Sequence, residues 1–315
     1  MNFLIINTGG TIVSSDHGAG LSPYSDISYG MMNCPAADLM SVDSTNMDPD
    51  FWLKISDKIR SESSSYDGFL ILHGTDTMAY TASAISFILR DVEKPVVLTG
   101  ASVPLGTPGG DGEGNMSCSF SVLEKMVDMN INSVVVCFRG NTVLGCRASK
   151  NSMEGNITFG MSGIAFPTDR AMYTESFRQG FDRNILSVKL FPGYRADWLE
   201  KQLDILPDIH GLVIDTFGAG GLPYKRENLL PAVRKAVSRK IPVVLTSQVP
   251  GQAVDLKLYN VGVQAMEAGA ISSYDMTFET AVTKLMWLCH SFSYDDIVKL
   301  FHHSFCGEIS VCARS

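Results

Sequence analysis

Two short apolar runs, Phe3-Leu4-Ile5-Ile6 and Phe69-Leu70-Ile71-Leu72, each end in a turn that carries threonine. The turns read Asn7-Thr8-Gly9-Gly10-Thr11 and His73-Gly74-Thr75-Asp76-Thr77. Uncharged, branched runs of this length are how strands covered on both faces of a parallel sheet read, so the pair points to an α/β fold. Both turns then fall at the carboxyl ends of their strands, the edge where loops diverge and ligands bind. Gly9 and Gly10 permit the tight turn, bring backbone N–H groups close to a bound group and leave Thr11 room to project. Two hydroxyls and the Asp76 carboxylate are thereby offered to one pocket.

Along the chain, residues 12–32 are rich in Ser, Gly and Asp and read as a long loop beside the crevice, carrying Tyr24 and Tyr29. Residues 48–64 fit an amphipathic helix, with Pro49 near its start and Trp52, Ile55 and Ile59 on one face. Asp43, Ser44 and Thr45 precede it, residue types that an N-cap favours, although capping alone would need only one of them. Residues 77–91 read as a helix with an Ala- and Ile-rich buried face, and Pro95–Thr99 and Val134–Phe138 as strands. Glycines 106, 109, 110, 112 and 114 do not fit Gly-x-Gly-x-x-Gly at a strand-to-helix turn, which disfavours a dinucleotide; Asp111, Gly112 and Asn115 suit a helix entry. Residues 166–189 lack periodicity and suggest a connection. Strand-like Gly211–Phe217 and Ile241–Thr246, with helical 227–239 and 277–292, then form a second α/β unit. The expected architecture is a larger N-terminal domain, residues 1–185, with a mostly parallel sheet, and a smaller C-terminal α/β domain, residues 190–315.

A formal net charge of −8 without clustered Lys and Arg disfavours nucleic acid and anionic membrane surfaces, leaving a small molecule as the expected ligand. The seven cysteines are scattered, without Cys-x-x-Cys or zinc-type spacing, and read as reduced thiols; His302-His303 lack a third convergent ligand, so no metal is expected. The first strand begins at residue 3, with no signal-like stretch ahead of it, and no apolar run is long enough to span a bilayer, so a cytoplasmic location is the expectation.

The two threonine turns, with Asp43-Ser44-Thr45-Asn46-Met47, Thr99-Gly100-Ala101 and Arg147-Ala148-Ser149-Lys150, resemble the bacterial L-asparaginase family. Through His73–Ala82 the similarity looks closest to its cytoplasmic type I branch. The resemblance implies a cofactor-free hydrolase of the L-asparagine side-chain amide. In the reading it favours Thr11 attacks, with Thr75 attacking first as the rival order; Lys150 and Asp76 complete a cluster with Thr75, and a lid tyrosine assists. Where many type I relatives carry Gly-Tyr-x-Pro this chain has Gly20-Leu21-Ser22-Pro23, so Tyr24 stands in, with an ordinary loop tyrosine as the alternative. Gly10, Asp43, Ser44, Thr45, Thr75 and Asp76 are the implied substrate contacts, Ser44 on the α-carboxylate and Asp76 on the ammonium. The family also implies a homodimer or homotetramer with sites completed across the interface; Asp255 is the acid nearest the family's Val-Pro stretch. Amidase activity on L-glutamine, an ammonia-supplying amidotransferase subunit and a non-catalytic amino-acid sensor are the competing readings. The amidotransferase reading is disfavoured by the expectation of an extra amino-terminal domain, and the sensor by the presence of both threonines and the lysine.

Overall fold

The computed structural model describes residues 1–16, 21–23, 34–153, 156–160 and 179–310. Tyr24 and Tyr29 lie outside them. The chain divides into two compact units, Met1–Arg170 and Ala171–Ser315.

The first unit runs β1 (Phe3–Gly9), β2 (Ser14–Asp16), β3 (Leu21–Pro23), β4 (Ala36–Val42), α1 (Pro49–Glu62), β5 (Gly68–Leu72), α2 (Met78–Ile88), β6 (Val96–Thr99), α3 (Gly112–Asp128), β7 (Val134–Phe138), β8 (Asn141–Leu144), β9 (Lys150–Met153) and β10 (Asn156–Phe159). Its main sheet has the order β4-β1-β5-β6-β7-β8, parallel except for the β7–β8 pair. Strands β1, β5, β6 and β7 are buried along their whole length, as their unbroken apolar runs require. The chain leaves β1 for β4 on one side and returns to β5 on the other, so the strand order reverses between β1 and β5. That reversal opens a crevice at the carboxyl ends of the two strands. Register pairs Asn7 with Leu72, so both threonine turns emerge there side by side.

Four segments differ from the sequence expectation. The loop read over 12–32 contains an antiparallel β2–β3 hairpin, and the polar segment after Ala148 contains a β9–β10 hairpin. Both are too short and too polar to show a two-residue alternation. Strand β4 alternates exposed with half-buried residues at the sheet edge, and so carries no apolar run. Helix α2 is buried on nearly every side rather than on one face. Its small residues explain why: the Gly145 turn seats on Ala82, Ser83 and Ser86, with Ser83 Oγ donating to the Gly145 carbonyl at 3.3 Å.

The second unit runs β11 (Ile185–Lys189), α4 (Ala196–Ile205), β12 (Gly211–Thr216), α5 (Leu230–Ser238), β13 (Val243–Ser247), α6 (Asn260–Glu267), β14 (Ala270–Ser272), α7 (Phe278–Ser291) and α8 (Tyr294–Leu300). Its parallel sheet has the order β11-β12-β13-β14. Residues 185–189, read as connection, are its edge strand; only Val188 is buried there, which removes the apolar signature. Because this order advances in one direction it creates no reversal crevice like that between β1 and β5. Lys284 on α7 is completely buried and bonds the equally buried Glu308 at 2.7 Å. The Lys284 ammonium also donates to the carbonyls of Phe301 (2.9 Å) and His303 (2.6 Å). Glu308 accepts from the backbone N–H groups of Phe305 and Cys306. His302-His303, read as a surface terminus, therefore flank an internal ion pair that fastens the segment after α8.

No helix among the described residues is long and apolar enough to cross a membrane.

Candidate active site

Backbone contact between two glycines builds the site. Gly10 has φ +84°, and a Cβ placed on it would lie 2.3 Å from the Gly74 nitrogen. Glycine is therefore required twice over, for the left-handed conformation and for the close approach. Thr11 and Thr75, each the next residue, leave from this one point of contact. Thr11 opens a single 3-10 turn, Thr11–Val13, and is half-buried; Ile12 and Val13 are fully buried beneath it and anchor the turn. Ser14 Oγ donates to the Gly10 carbonyl at 2.8 Å and closes the same turn. Gly10→Ala is expected to lower stability by roughly 1–3 kcal/mol, the cost of a strained backbone site. It would also push the two turns apart, and thermal melts of the variant should show the loss.

The second turn meets two partners. Lys150, the first residue of β9, donates through Nζ to Thr75 Oγ1 at 2.9 Å and to Asp76 Oδ1 at 2.6 Å. It reaches them because the Gly145–Arg147 turn just before it rests on α2, the helix that Thr75 and Asp76 introduce. Ser44 is buried against Gly74: a Cβ on Gly74 would lie 2.5 Å from Ser44 Oγ. Thr77 Oγ1 donates to the Ser44 carbonyl at 2.7 Å and locks the Ser44 turn to the Thr75 turn. Capping is done by other residues. Asp43 accepts from the Thr45 N–H at 2.9 Å and from its hydroxyl at 3.0 Å, and Asp48 caps α1. Gly10 and Ser44 thus both meet Gly74, Thr75 and Asp76 both meet Lys150, and Thr11 follows Gly10 in the chain, while Asp43 and Thr45 are exposed and bonded to each other. Asp76 is held by Lys150 here, where the resemblance assigned its charge to a ligand ammonium. Asp255 bonds the Lys257 N–H at 2.9 Å, within its own loop.

Sequence reasoning did not find the polar chain beneath the site. His73 is fully buried; its Nδ1 faces the Gly74 carbonyl at 2.6 Å and its Nε2 faces Thr81 Oγ1 at 2.9 Å. A carbonyl can only accept, so Nδ1 carries the proton, and the Thr81 hydroxyl donates to Nε2. Trp52 Nε1 donates to Thr81 Oγ1 at 3.0 Å. The chain Trp52–Thr81–His73 thereby fixes the carbonyl that precedes Thr75. Its only trace in the sequence is a histidine directly after a buried strand.

Burial lowers the His73 pKa to about 4, against a smaller opposing effect of its bond to Gly74. The ring is therefore neutral above that value, whereas an unfolded chain protonates it near 6.5. The folded state binds fewer protons between these limits, so stability falls as pH drops from about 6.5 to about 4, by about 3 kcal/mol for this group. Urea unfolding measured across that window should show the loss, and His73→Asn, which has no ring to protonate, should lack that component.

The carboxyl edge of this parallel α/β sheet, where ligands bind in open α/β folds, thus carries two threonine turns held together by Gly10 and Gly74, with Lys150 bonded to Thr75 and Asp76. Residues 2–167 match the family model described as "Asparaginase, N-terminal", and residues 184–301 match "Glutaminase/Asparaginase C-terminal domain". The chain is similar to an "L-asparaginase" of Thermococcus kodakarensis, 33% identical over 98% of this chain and 99% of that protein. It is also similar to a glutamyl-tRNA(Gln) amidotransferase subunit of Pyrococcus horikoshii, 30% identical over 98% of this chain and 77% of that protein. Among solved structures, the thermostable L-asparaginase from Thermococcus kodakarensis superimposes with a TM-score of 0.82 at 30% identity, covering 98% of this chain and 99% of that one. The chain belongs to the asparaginase family.

Proposed function

We propose that this chain is an L-asparaginase, hydrolysing the side-chain amide of L-asparagine to L-aspartate and ammonia through a threonine nucleophile, without a cofactor. The observation that carries the reading is the Lys150 ammonium spanning Thr75 Oγ1 and Asp76 Oδ1, on a turn whose backbone touches that of Gly10, the residue before Thr11. Amide hydrolysis needs a nucleophile, a proton acceptor, donors for the oxyanion and a proton for the leaving ammonia. In this reading Thr11 Oγ1 attacks the amide carbon as its proton is removed, with Tyr24 assisting. The tetrahedral intermediate collapses to an ester on Thr11 as ammonia departs with a proton. The Thr75–Lys150–Asp76 cluster then orients the water that cleaves the ester and regenerates the hydroxyl. Ser44 and nearby backbone N–H groups take the substrate carboxylate, and Asp76 exchanges part of its hold on Lys150 for the substrate ammonium. Cytoplasmic location and a homo-oligomer that completes each site belong to the same reading.

The likeness to the Pyrococcus horikoshii amidotransferase protein supports a second reading, an ammonia-supplying component that acts within a complex. Ammonia release by the purified chain, measured against L-Asn, L-Gln, D-Asn and Asn-bearing peptides, separates the two. Partner-free turnover with L-Asn foremost is the expected result. Silence without a partner overturns the leading reading, and L-Gln foremost replaces its substrate.

A further inference from the structure

Away from the threonine turns, α3 and β7 bring two thiols together. Cys118 Sγ and Cys137 Sγ lie 3.3 Å apart, Cys118 half-buried and Cys137 fully buried. Their spacing is held by the bonds around them. Asn115, one turn before Cys118, donates to the Gly100 carbonyl at 2.8 Å and accepts from the Arg139 N–H at 2.7 Å. Thr99 Oγ1 donates to the Cys137 carbonyl at 2.7 Å, fixing β7 at the same level. A disulfide needs about 2.05 Å, so closure asks the sulfurs to approach by little more than 1 Å.

We propose that Cys118 and Cys137 form an oxidisable dithiol, a modification site that closes to a disulfide between α3 and β7 on reaction with a small-molecule disulfide such as glutathione disulfide. The partly exposed Cys118 attacks first, as its thiolate. Its sulfur bonds one glutathione sulfur, the oxidant's S–S bond breaks, and one glutathione thiolate leaves. Burial and the neighbouring Cys118 push the Cys137 thiol up to about 11, so it stays protonated until this second step. The departing thiolate then takes the Cys137 proton, and Cys137 displaces the second glutathione from Cys118. Two thiols are oxidised, one glutathione disulfide is reduced to two glutathione thiols, and the new bond closes a loop between positions 118 and 137.

The test uses the full chain, incubated with glutathione disulfide and mapped by peptide mass without reduction. The expected product is intact protein two hydrogens lighter, with one peptide pair linked through Cys118 and Cys137 and released by dithiothreitol. Cys118→Ser and Cys137→Ala should each abolish that pair. A mixed disulfide that persists on Cys118, or a linkage that uses other cysteines, overturns the proposal. No assay of amide hydrolysis enters the test, so its failure and that of the proposed function are read separately.

Discussion

Lys150→Met should lower amide turnover by roughly 100-fold or more while the melting temperature stays within a few degrees of the parent. The expected size is that of losing a positioned proton-transfer group. Methionine keeps most of the unbranched apolar stem but neither donates to Thr75 Oγ1 nor pairs with Asp76, the two contacts made by the Lys150 ammonium. Stability is spared because the pair is partly exposed, with 27% of the Lys150 and 56% of the Asp76 side chain accessible, and exposed pairs contribute about 1 kcal/mol or less. Thr75→Val and Thr11→Ala should each cost activity on the same scale or larger, by deleting a hydroxyl from a turn set by glycine backbone. The two losses should differ in kind. If Thr11 attacks first, a slow Lys150 variant mixed with substrate accumulates an ester on Thr11, which peptide mass can locate. An ester found on Thr75 would reverse the order of roles. Parent-like turnover in any of these variants removes that residue from the mechanism.

The second large effect falls on stability and leaves chemistry alone. Lys284→Met should destabilise the second unit by about 3–5 kcal/mol, the cost of leaving one member of a buried ion pair without its partner. Burial alone would push the Glu308 carboxyl up, but the Lys284 charge and the Phe305 and Cys306 N–H groups outweigh it and hold the pKa below its ordinary value. A carboxyl held low stabilises the fold above the unfolded value, and that contribution is lost as pH falls through the folded one. Chemical denaturation of Lys284→Met at neutral pH measures the first effect. A double variant, Lys284→Met with Glu308→Leu, should recover much of the loss, because it removes the stranded charge along with its lost partner. No recovery would mean that the cost lies in the carbonyls of Phe301 and His303 instead.

What the sequence made legible follows the physics of burial. Strands β1, β5, β6 and β7 could be placed because each carries an unbroken apolar run, and the ends of the runs in β1 and β5 marked both threonine turns. Helix α1 showed its stripe through Trp52, Ile55 and Ile59, all of which are buried. Edge elements were silent, since β4 and β11 have one face on solvent and no alternation clean enough to recognise. Lys284 was read as part of an ordinary closing helix because a charged residue counts as exposed until its partner, 24 positions away, is seen beside it. The same limit hid Trp52–Thr81–His73, whose members gain meaning only when folded together. Lys150 stood out only through the family pattern, as a lone lysine has no local signal; the seat of the Gly145 turn on α2 supplies the physical reason for its position.

The Gly10–Gly74 contact has a consequence for anyone who wishes to alter this chain. Spacing between the hydroxyl-bearing turns is set by main chain against main chain, and not by any side chain that could change rotamer. Repacking of the surrounding core with residues of similar volume should therefore leave the reactive geometry untouched, whereas a single added methyl at either glycine cannot be absorbed by compensation elsewhere. Libraries that test the proposed substrate contacts are best drawn from Asp43 and Thr45, with the two glycines held constant.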